Sequence, residues 1–276
     1  MAHRRIITLT TDFGLNDHFV GTMKGVILDI VPEAEIVDIC HSVQAFDVLD
    51  GALTLAQAYS YFPTGTVHMV IVDPGVGTAR RPIIASSDKY HFVAPDNGVL
   101  SLIYGREDRI HVRHVTSEHY FLQPLSNTFH GRDIFSPVAA YLAKGVDTEK
   151  FGEEISDFVR FNAPTPKPVD ARTVRGVVLK VDRFGNLITN ITPENLPVLF
   201  AAQVPSFKIA VGKREVTELK TTYAEGAPGE VFGILGSMGY LEIAANRGPA
   251  AQLLGVGKGT DVTVTFENSA AASNGQ

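Results

Sequence analysis

Hydrophobic and polar residues alternate between two patterns along the first half of the chain. β-rich runs at residues 6–10 and 35–39 flank a segment at 19–30 whose apolar residues recur at helical spacing. A second helical segment at 47–61 leads into a strongly apolar strand at 66–73. This order is βαβαβ, and parallel neighbouring strands need crossover helices of this kind. We therefore expect an α/β domain whose mostly parallel sheet carries helices on both faces.

Residues 82–144 carry the remaining predicted elements of the first half of the chain. The β-rich runs at residues 82–87 and 91–95 have the form of a hairpin or an edge pair. A short helix near residues 98–104 precedes a strand at 109–115. Apolar residues then recur on one helical face over residues 132–144, which predicts a final helix.

The second half has a different pattern. Residues 163–171 carry three prolines at alternate positions, so we place a linker there and assign residues 1–162 to the α/β domain. Short strands separated by turn signals follow in residues 172–266, with one short helix near 250–254. They predict an antiparallel β domain, either a sandwich or a barrel. The small polar residues 267–276 predict a flexible tail.

Composition narrows the class of protein and of ligand. Of the 276 residues, 45% are hydrophobic and 20% charged, which is enough apolar material for the cores of two domains. The net charge is -6 and the basic residues are scattered, which argues against nucleic-acid or anionic-membrane partners. Cys40 is the only cysteine, so no internal disulfide or thiolate metal cluster is possible, and the cytoplasm is the expected location. No apolar run approaches the roughly 20 residues that span a bilayer.

Four polar clusters follow predicted strands of the first domain, at residues 10–17, 38–46, 72–81 and 127–133. Ligands of open α/β sheets bind outside the carboxyl ends of the strands. The clusters are therefore candidate segments of a binding or catalytic site, and each also has a plainer structural interpretation.

The aspartates in these clusters admit two interpretations each. Asp12 can accept hydrogen bonds from a sugar diol, or it can cap the following helix. Asp73 stands at a strand end before Gly75 and Gly77, which let the backbone approach a ligand closely. The alternative is a β-turn with solvated arginines. Because the segment lacks the lysine and the spacing of a phosphate-binding loop, we reject binding of a nucleotide phosphate.

Other chemistries find less support. His130 stands at the start of a helix, where a histidine is often only structural. No H-x-H or D-x-D spacing supports a metal site, and no G-x-S-x-G motif provides a serine nucleophile. A metal site would have to combine scattered residues, namely Asp12, Asp17, His41, Asp73 and His130.

Six motifs, in order along nearly the whole chain, resemble those of one enzyme family. They are TTDFG, VDICHSV, VDPGVGTARR, TFHGRDIFSP, DRFGNLITN and GSMGYLEIAANRG. The chain resembles the S-adenosylmethionine hydrolases (adenosine-forming), also called hydroxide adenosyltransferases, which are relatives of fluorinating and chlorinating enzymes. The resemblance implies that water attacks the ribose C5′ of S-adenosyl-L-methionine to give adenosine and L-methionine, with no metal or organic cofactor. It also implies a homotrimer whose active sites combine the first domain of one subunit with the second domain of its neighbour.

The resemblance assigns roles to residues at matching positions. It implies that Asp73, Arg80 and His130 hold and activate the attacking water. The other residues of the first domain that it places at the substrate are Asp12 at the ribose hydroxyls and Phe46 and Phe129 beside the nucleoside. The residues of the second domain are Asp182 near the methionine ammonium, Phe184 and Asn186 about the adenine, Ser237 at the methionine carboxylate and Asn246 at the base edge.

Two departures from the fluorinating relatives matter for function. Met238 stands where those enzymes have an arginine, which leaves open how the methionine carboxylate is held. They have tyrosine at the place of Asp73, and a carboxylate beside the nucleophile would repel a halide. Two alternatives to hydrolysis stay open: halide-dependent cleavage of S-adenosylmethionine, and a non-catalytic protein that binds adenosine or S-adenosylmethionine.

Overall fold

The structure of the protein is a computed structural model that describes residues 5–267. The chain divides into two compact units, Met1–Ala163 and Pro164–Gln276. The tail predicted for residues 267–276 lies outside the described residues, except for Glu267.

The first unit is a six-stranded α/β sheet with helices, as the hydrophobic pattern predicts. In chain order its elements are β1 Ile6–Thr11, α1 Phe19–Ile30, β2 Glu35–Cys40, α2 Val48–Ala58, β3 Val67–Ile71, β4 Pro82–Ser86, β5 His91–Pro95, α3 Ser101–Tyr104, β6 His111–His114 and α4 Ser136–Ala143. The strand order is β2-β1-β3-β5-β4-β6. The first four strands in that order are parallel, whereas β4 pairs antiparallel with both β5 and β6.

The core of this unit lies on both faces of the sheet. Every residue of β1 and β3 is buried. Alternate residues of β3 point to opposite faces: Met69 and Ile71 pack with the cluster that contains α1 and α4, and Val70 packs with the cluster that contains α2 and α3. The expectation of a sheet covered on both faces is therefore confirmed.

The helix predicted over residues 132–144 begins with an irregular turn. Gly131–Phe135 form a π-helical turn, and the regular helix α4 starts only at Ser136. Pro137 has no N–H to donate to the carbonyl of Asp133, four residues earlier, and that carbonyl accepts the N–H of Leu122 instead. The Ser136 hydroxyl also donates to the Gly131 carbonyl at 2.7 Å. The Ser136 N–H bonds to the Gly131 carbonyl, five residues earlier, so the first turn is wider than that of the predicted regular helix.

The second unit is a curled sheet of nine strands. Its elements are β7 Lys167–Pro168, β8 Thr173–Val181, β9 Leu187–Thr189, β10 Phe207–Val211, β11 Arg214–Val216, β12 Leu219–Lys220, β13 Val231–Leu235, β14 Leu241–Ala245, α5 Ala250–Leu254 and β15 Asp261–Phe266. The order is β11-β10-β15-β8-β9-β14-β13-β12, and β7 adds to β8. All pairings are antiparallel except that of β12 with β13, so the predicted antiparallel domain is mostly confirmed.

The proline-rich segment is partly ordered by the second unit. Its residues Lys167 and Pro168 form β7 and pair with Val174 and Arg175 of β8. No helix in residues 5–267 is both long and apolar enough to cross a membrane.

Candidate active site

Two aspartates lie at neighbouring strand ends of the first unit. Asp12 directly follows β1, and Asp73 follows β3 after one further residue. Because β1 and β3 pair in parallel, with Thr11 opposite Ile71, their carboxyl ends meet at one edge of the sheet. Burial raises the pKa of Asp12, and the negative charge of Asp73 raises it further. The structure therefore brings these two predicted site residues together.

Arg80 joins Asp73 to His130. Its Nε donates to both carboxylate oxygens of Asp73, at 3.0 and 2.9 Å, and its Nη2 donates to the same carboxylate and to His130 Nδ1 at 2.7 Å. The side chains of Asp73 and Arg80 are only 5% and 8% exposed. A guanidinium that donates two bonds to one carboxylate is held in both position and orientation. The three residues predicted to activate water form one hydrogen-bonded set.

The loop that carries Arg80 depends on close backbone contact. Gly77 has φ +76°, and a Cβ on it would lie 2.2 Å from the carbonyl oxygen of Asn127. Only glycine allows this approach, which packs the loop against the segment that leads to His130. The Thr78 hydroxyl donates to the Gly75 carbonyl at 2.7 Å and closes the turn.

The bond from Arg80 decides the protonation state of His130. A guanidinium has donors only, so His130 Nδ1 must accept and the ring is neutral with its proton on Nε2. Burial lowers the pKa of His130, and the positive charge of Arg80 lowers it further. The backbone carbonyl of Ser126 also accepts a hydrogen bond from the ring, which acts in the opposite direction. Nδ1 is therefore not available to accept a further proton.

Asp12 is held by a strained neighbour. The Phe46 N–H donates to Asp12 Oδ2 at 2.8 Å, and Phe46 adopts φ 64°, a left-handed conformation that side chains disfavour. The Phe46 ring is 74% exposed at this edge. Helix α1 begins without any side-chain cap, so the alternative that Asp12 caps this helix is wrong.

Phe129 lies in an aromatic cluster beside the set. Its ring packs edge-on against Phe19 at 5.1 Å and Phe13 at 6.2 Å between centroids. It is buried, so it offers a ligand at most a ring edge.

The five residues of the metal alternative do not form a metal-binding cluster within residues 5–267. Asp17 is exposed, and His41 is held by Thr11 at 2.9 Å and by Asp38 at 3.0 Å. Within residues 5–267, no three His, Cys, Asp or Glu side chains form a cluster that would hold a metal ion.

The second unit contains a cavity of about 760 Å³. Its lining includes all five residues predicted in this half: Asp182, Phe184, Asn186, Ser237 and Asn246. It also includes Met238, whose departure from the fluorinating relatives the sequence analysis noted, and three side chains that sequence reasoning did not single out: Tyr223, Glu242 and Arg247.

Asp182 organises the loop between β8 and β9. Its Oδ1 accepts the N–H groups of Phe184 and Asn186, each at 2.8 Å, and its Oδ2 accepts Asn186 Nδ2 at 2.9 Å. Gly185 has φ +85°, and a Cβ there would lie 2.5 Å from Pro249. The resulting turn leaves the Phe184 ring 78% exposed at the cavity, where an aromatic face is available for stacking.

Two asparagines that line the cavity use their side-chain Nδ2 groups as donors within the protein. Asn186 donates its Nδ2 to Asp182, and Asn246 donates its Nδ2 to the Gly226 carbonyl at 2.7 Å. No partner within residues 5–267 is seen for either side-chain Oδ1. Both are therefore acceptors suited to an amino group such as that of adenine.

Glu242 is a buried acid on strand β14. It is 4% exposed, and its Oε2 accepts the Tyr223 hydroxyl at 3.0 Å. Burial raises the pKa of Glu242, the Tyr223 bond lowers it, and the charge of Asp182 raises it. A charged residue inside the apolar run LEIAA is the signal by which the sequence marks this position.

Comparison with known proteins shows similarity along nearly the whole chain. Models described as the SAM hydroxide adenosyltransferase N-terminal and C-terminal domains match residues 7–152 and 176–263. The chain is 37% identical to a Salinispora tropica protein named (R)-S-adenosyl-L-methionine hydrolase, with 96% of this chain and 99% of the relative covered. It is 30% identical to a Nocardia brasiliensis fluorinase, with coverages of 95% and 97%. A crystal structure of an uncharacterized conserved protein from Thermotoga maritima superposes with a TM-score of 0.86 at 37% identity, covering 94% of this chain and 99% of that one.

Proposed function

The chain belongs to the S-adenosylmethionine hydroxide adenosyltransferase family, and from that premise we propose that Asp73, Arg80 and His130 activate the water in its reaction. The protein hydrolyses S-adenosyl-L-methionine to adenosine and L-methionine. The observation that carries the proposal is the buried, hydrogen-bonded set of these three residues at the carboxyl end of the sheet.

The chemistry of the substrate sets what the protein must supply. Methionine leaves the sulfonium as a neutral thioether, so the leaving group needs neither a proton nor a metal ion. Only the nucleophile needs assistance, and positioning a water in line with the C5′–S bond removes much of the entropic cost. We infer that the reaction is independent of metal ions.

The three residues have distinct roles in this proposal. The water donates a hydrogen bond to the Asp73 carboxylate, which accepts its proton as the C5′–O bond forms and the C5′–S bond breaks. Arg80 is the electrostatic stabiliser, and its Nη1 is buried with no hydrogen-bond partner within residues 5–267. His130 is neutral and holds Arg80 in place through Nδ1.

Binding is divided between the two units in this proposal. In the first unit, Asp12 accepts the ribose hydroxyls, and Phe46 and Phe129 border the nucleoside. In the second unit, Phe184 stacks on the adenine while the Oδ1 atoms of Asn186 and Asn246 accept its amino group. Ser237 donates a hydrogen bond to the methionine carboxylate. The uncharged Met238 beside it cannot form an ion pair with that carboxylate.

The family resemblance further supports a homotrimer in which one subunit's first unit and its neighbour's second unit share each site. The single cysteine, Cys40, supports a cytoplasmic location.

The test is product analysis with the purified protein. We expect EDTA-treated enzyme to convert S-adenosylmethionine into equal amounts of adenosine and methionine. The rate should be the same with and without added chloride. Asp73→Asn supplies the control for contaminating activity. A 5′-halogenated nucleoside as the main product would favour the halide-dependent alternative, and tight binding without turnover would favour the non-catalytic one. Loss of activity in EDTA that zinc or magnesium restores would contradict the metal-free mechanism.

A further inference from the structure

The cavity of the second unit contains a buried carboxylate, Glu242, with no cationic partner in the part of the chain that the structure describes. The buried acids Asp96 and Asp133 pair with Arg81 and Arg132, whereas Glu242 forms no ion pair within residues 5–267. A buried carboxylate is costly unless a cation or several donors compensate it. Glu242 has one described donor, Tyr223, and it lines an open cavity. Its environment therefore suits a cation supplied by a ligand.

We propose, resting on the proposed function, that Glu242 binds the ammonium group of the substrate's methionine moiety and thereby selects for a ligand that carries the amino acid. Tyr223 and Gly236 are positioning residues that hold the carboxylate for this contact.

The turn before β14 places the carboxylate at the amino-acid end of the cavity. A Cβ on Gly236 would lie 1.9 Å from Glu242 Oε1, so the acid rests directly against the Gly236 backbone. The next residue is Ser237, which the proposed function places at the methionine carboxylate. An α-amino acid carries its ammonium and carboxylate on the same carbon atom, so their binding groups must be neighbours. Glu242 and Ser237 satisfy this requirement.

Asp182 is less suited to be the main partner of the ammonium. Its carboxylate already accepts three hydrogen bonds from the loop that it organises. Glu242 accepts one described bond, from a hydroxyl that can remain in place when a cation arrives. The negative charge of Asp182 still contributes, because it raises the pKa of Glu242 and so adds to the field that attracts a cation. The two acids have different roles, Asp182 in shaping the loop and Glu242 in pairing.

The adenosine part of the substrate cannot satisfy Glu242. Adenosine is neutral at physiological pH and carries no ammonium group, whereas S-adenosylmethionine and its thioether analogue S-adenosylhomocysteine both carry one. The thioether lacks the sulfonium charge. Comparing these ligands therefore separates a contact with the ammonium from attraction to the sulfonium and from general damage to the cavity.

The experiment measures the dissociation constants of S-adenosylhomocysteine and adenosine by calorimetry, and KM for S-adenosylmethionine, in Glu242→Gln. We expect the dissociation constant of S-adenosylhomocysteine and KM to rise about tenfold to a hundredfold, the usual effect of losing a hydrogen bond to a charged group. Adenosine binding should change less than about twofold, because no ammonium is involved. Glu215→Gln is the matched control, because it removes the same charge from an exposed site on β11. It should leave the dissociation constants of both ligands unchanged.

Two further variants test the contact without removing the Glu242 carboxylate, so the conclusion does not depend on whether Glu242→Gln folds. Tyr223→Phe keeps the Glu242 carboxylate in place and should raise the dissociation constant of S-adenosylhomocysteine by only about threefold. Gly236→Ala displaces that carboxylate and should raise the dissociation constant nearly as much as Glu242→Gln does. Thermal unfolding checks that each variant is folded. The proposal is wrong if Glu242→Gln binds S-adenosylhomocysteine as tightly as the parent does, even where KM for S-adenosylmethionine rises. It is also wrong if the variant loses affinity for S-adenosylhomocysteine and adenosine equally.

These readouts separate the two proposals. If the parent protein makes no adenosine but shows the Glu242-dependent preference for S-adenosylhomocysteine, the proposed function fails and the ammonium site stands. If the parent protein makes adenosine and Glu242→Gln changes neither the dissociation constants nor KM, the proposed function stands and the ammonium site is wrong.

Discussion

The candidate site of the first unit and the cavity of the second satisfy their polar groups in opposite ways. Asp73, Arg80 and His130 already bond to one another, and their donors and acceptors are largely used within the protein. In the cavity, the Phe184 ring is exposed and Glu242 has no cationic partner within residues 5–267. A prearranged polar set is suited to stabilising a transition state, and open groups are suited to holding a ligand.

The difference predicts a kinetic division between the two units. Groups that act mainly on the attacking water change kcat, and groups that bind the substrate equally in its ground and transition states change KM.

The largest effect is expected for Asp73→Asn. The amide cannot accept the proton of the water, so kcat should fall about 10² to 10⁴-fold while KM stays near the parental value. Steady-state kinetics on protein shown to be folded by thermal unfolding measures both constants. A parental kcat in this variant would end the assignment of Asp73 as the base.

A smaller loss of kcat is expected for His130→Ala, about 10 to 10²-fold, because His130 positions Arg80 and does not take the proton. The pH profile of the parent provides the second readout. The pKa of His130 is lowered, so the active neutral form persists as the pH falls through the usual histidine range near 6.5. Activity that depends on His130 should be lost only below that range, when protonation displaces the Arg80 donor. An acidic limb centred at or above the usual histidine pKa would argue that the ring is charged in the working enzyme.

Phe184→Ala should raise KM about tenfold and leave kcat within a few-fold of the parent. Stacking on a base is worth about 1–3 kcal/mol and acts in both ground and transition states. Phe46→Ala, which removes an exposed ring from the first unit, is the matched comparison. A loss confined to kcat in Phe184→Ala would contradict the division between the units.

The smallest effect concerns the sharing of sites. If one subunit supplies Asp12 and its neighbour Asn186, mixing the Asp12→Ala and Asn186→Ala proteins, each impaired when the substrate concentration is far below its KM, should restore activity. Random exchange of subunits at equal concentrations gives about a quarter of intact sites. Mixing two preparations of the same variant is the control. No recovery, in mixtures whose subunit exchange is verified by mass spectrometry, would show that each site is built within one subunit.

Much of the fold was predictable from local patterns. Periods of 3.6 and 2 residues located the crossover helices and strands of the first unit, and α1 was predicted with the bounds Phe19–Ile30 that the structure shows. The π-helical turn at Gly131–Phe135 was not predicted, because it depends on the Asp133 carbonyl bonding to Leu122. Nor was β7, since two residues of a proline-rich segment become a strand only when β8 is beside them.

For the candidate site, the amino-acid order was enough to show which chemical groups are present and which segments carry them, because motif spacing and strand ends are local properties. It marked Asp73, Arg80 and His130 as candidates without indicating how they interact. Folding alone brings the Arg80 guanidinium within 2.7 Å of His130 Nδ1, where that nitrogen accepts a hydrogen bond and the ring is neutral. Folding also buries Glu242, which forms no ion pair within residues 5–267. Protonation and pairing depend on distances between residues far apart in the chain, and those distances exist only after folding.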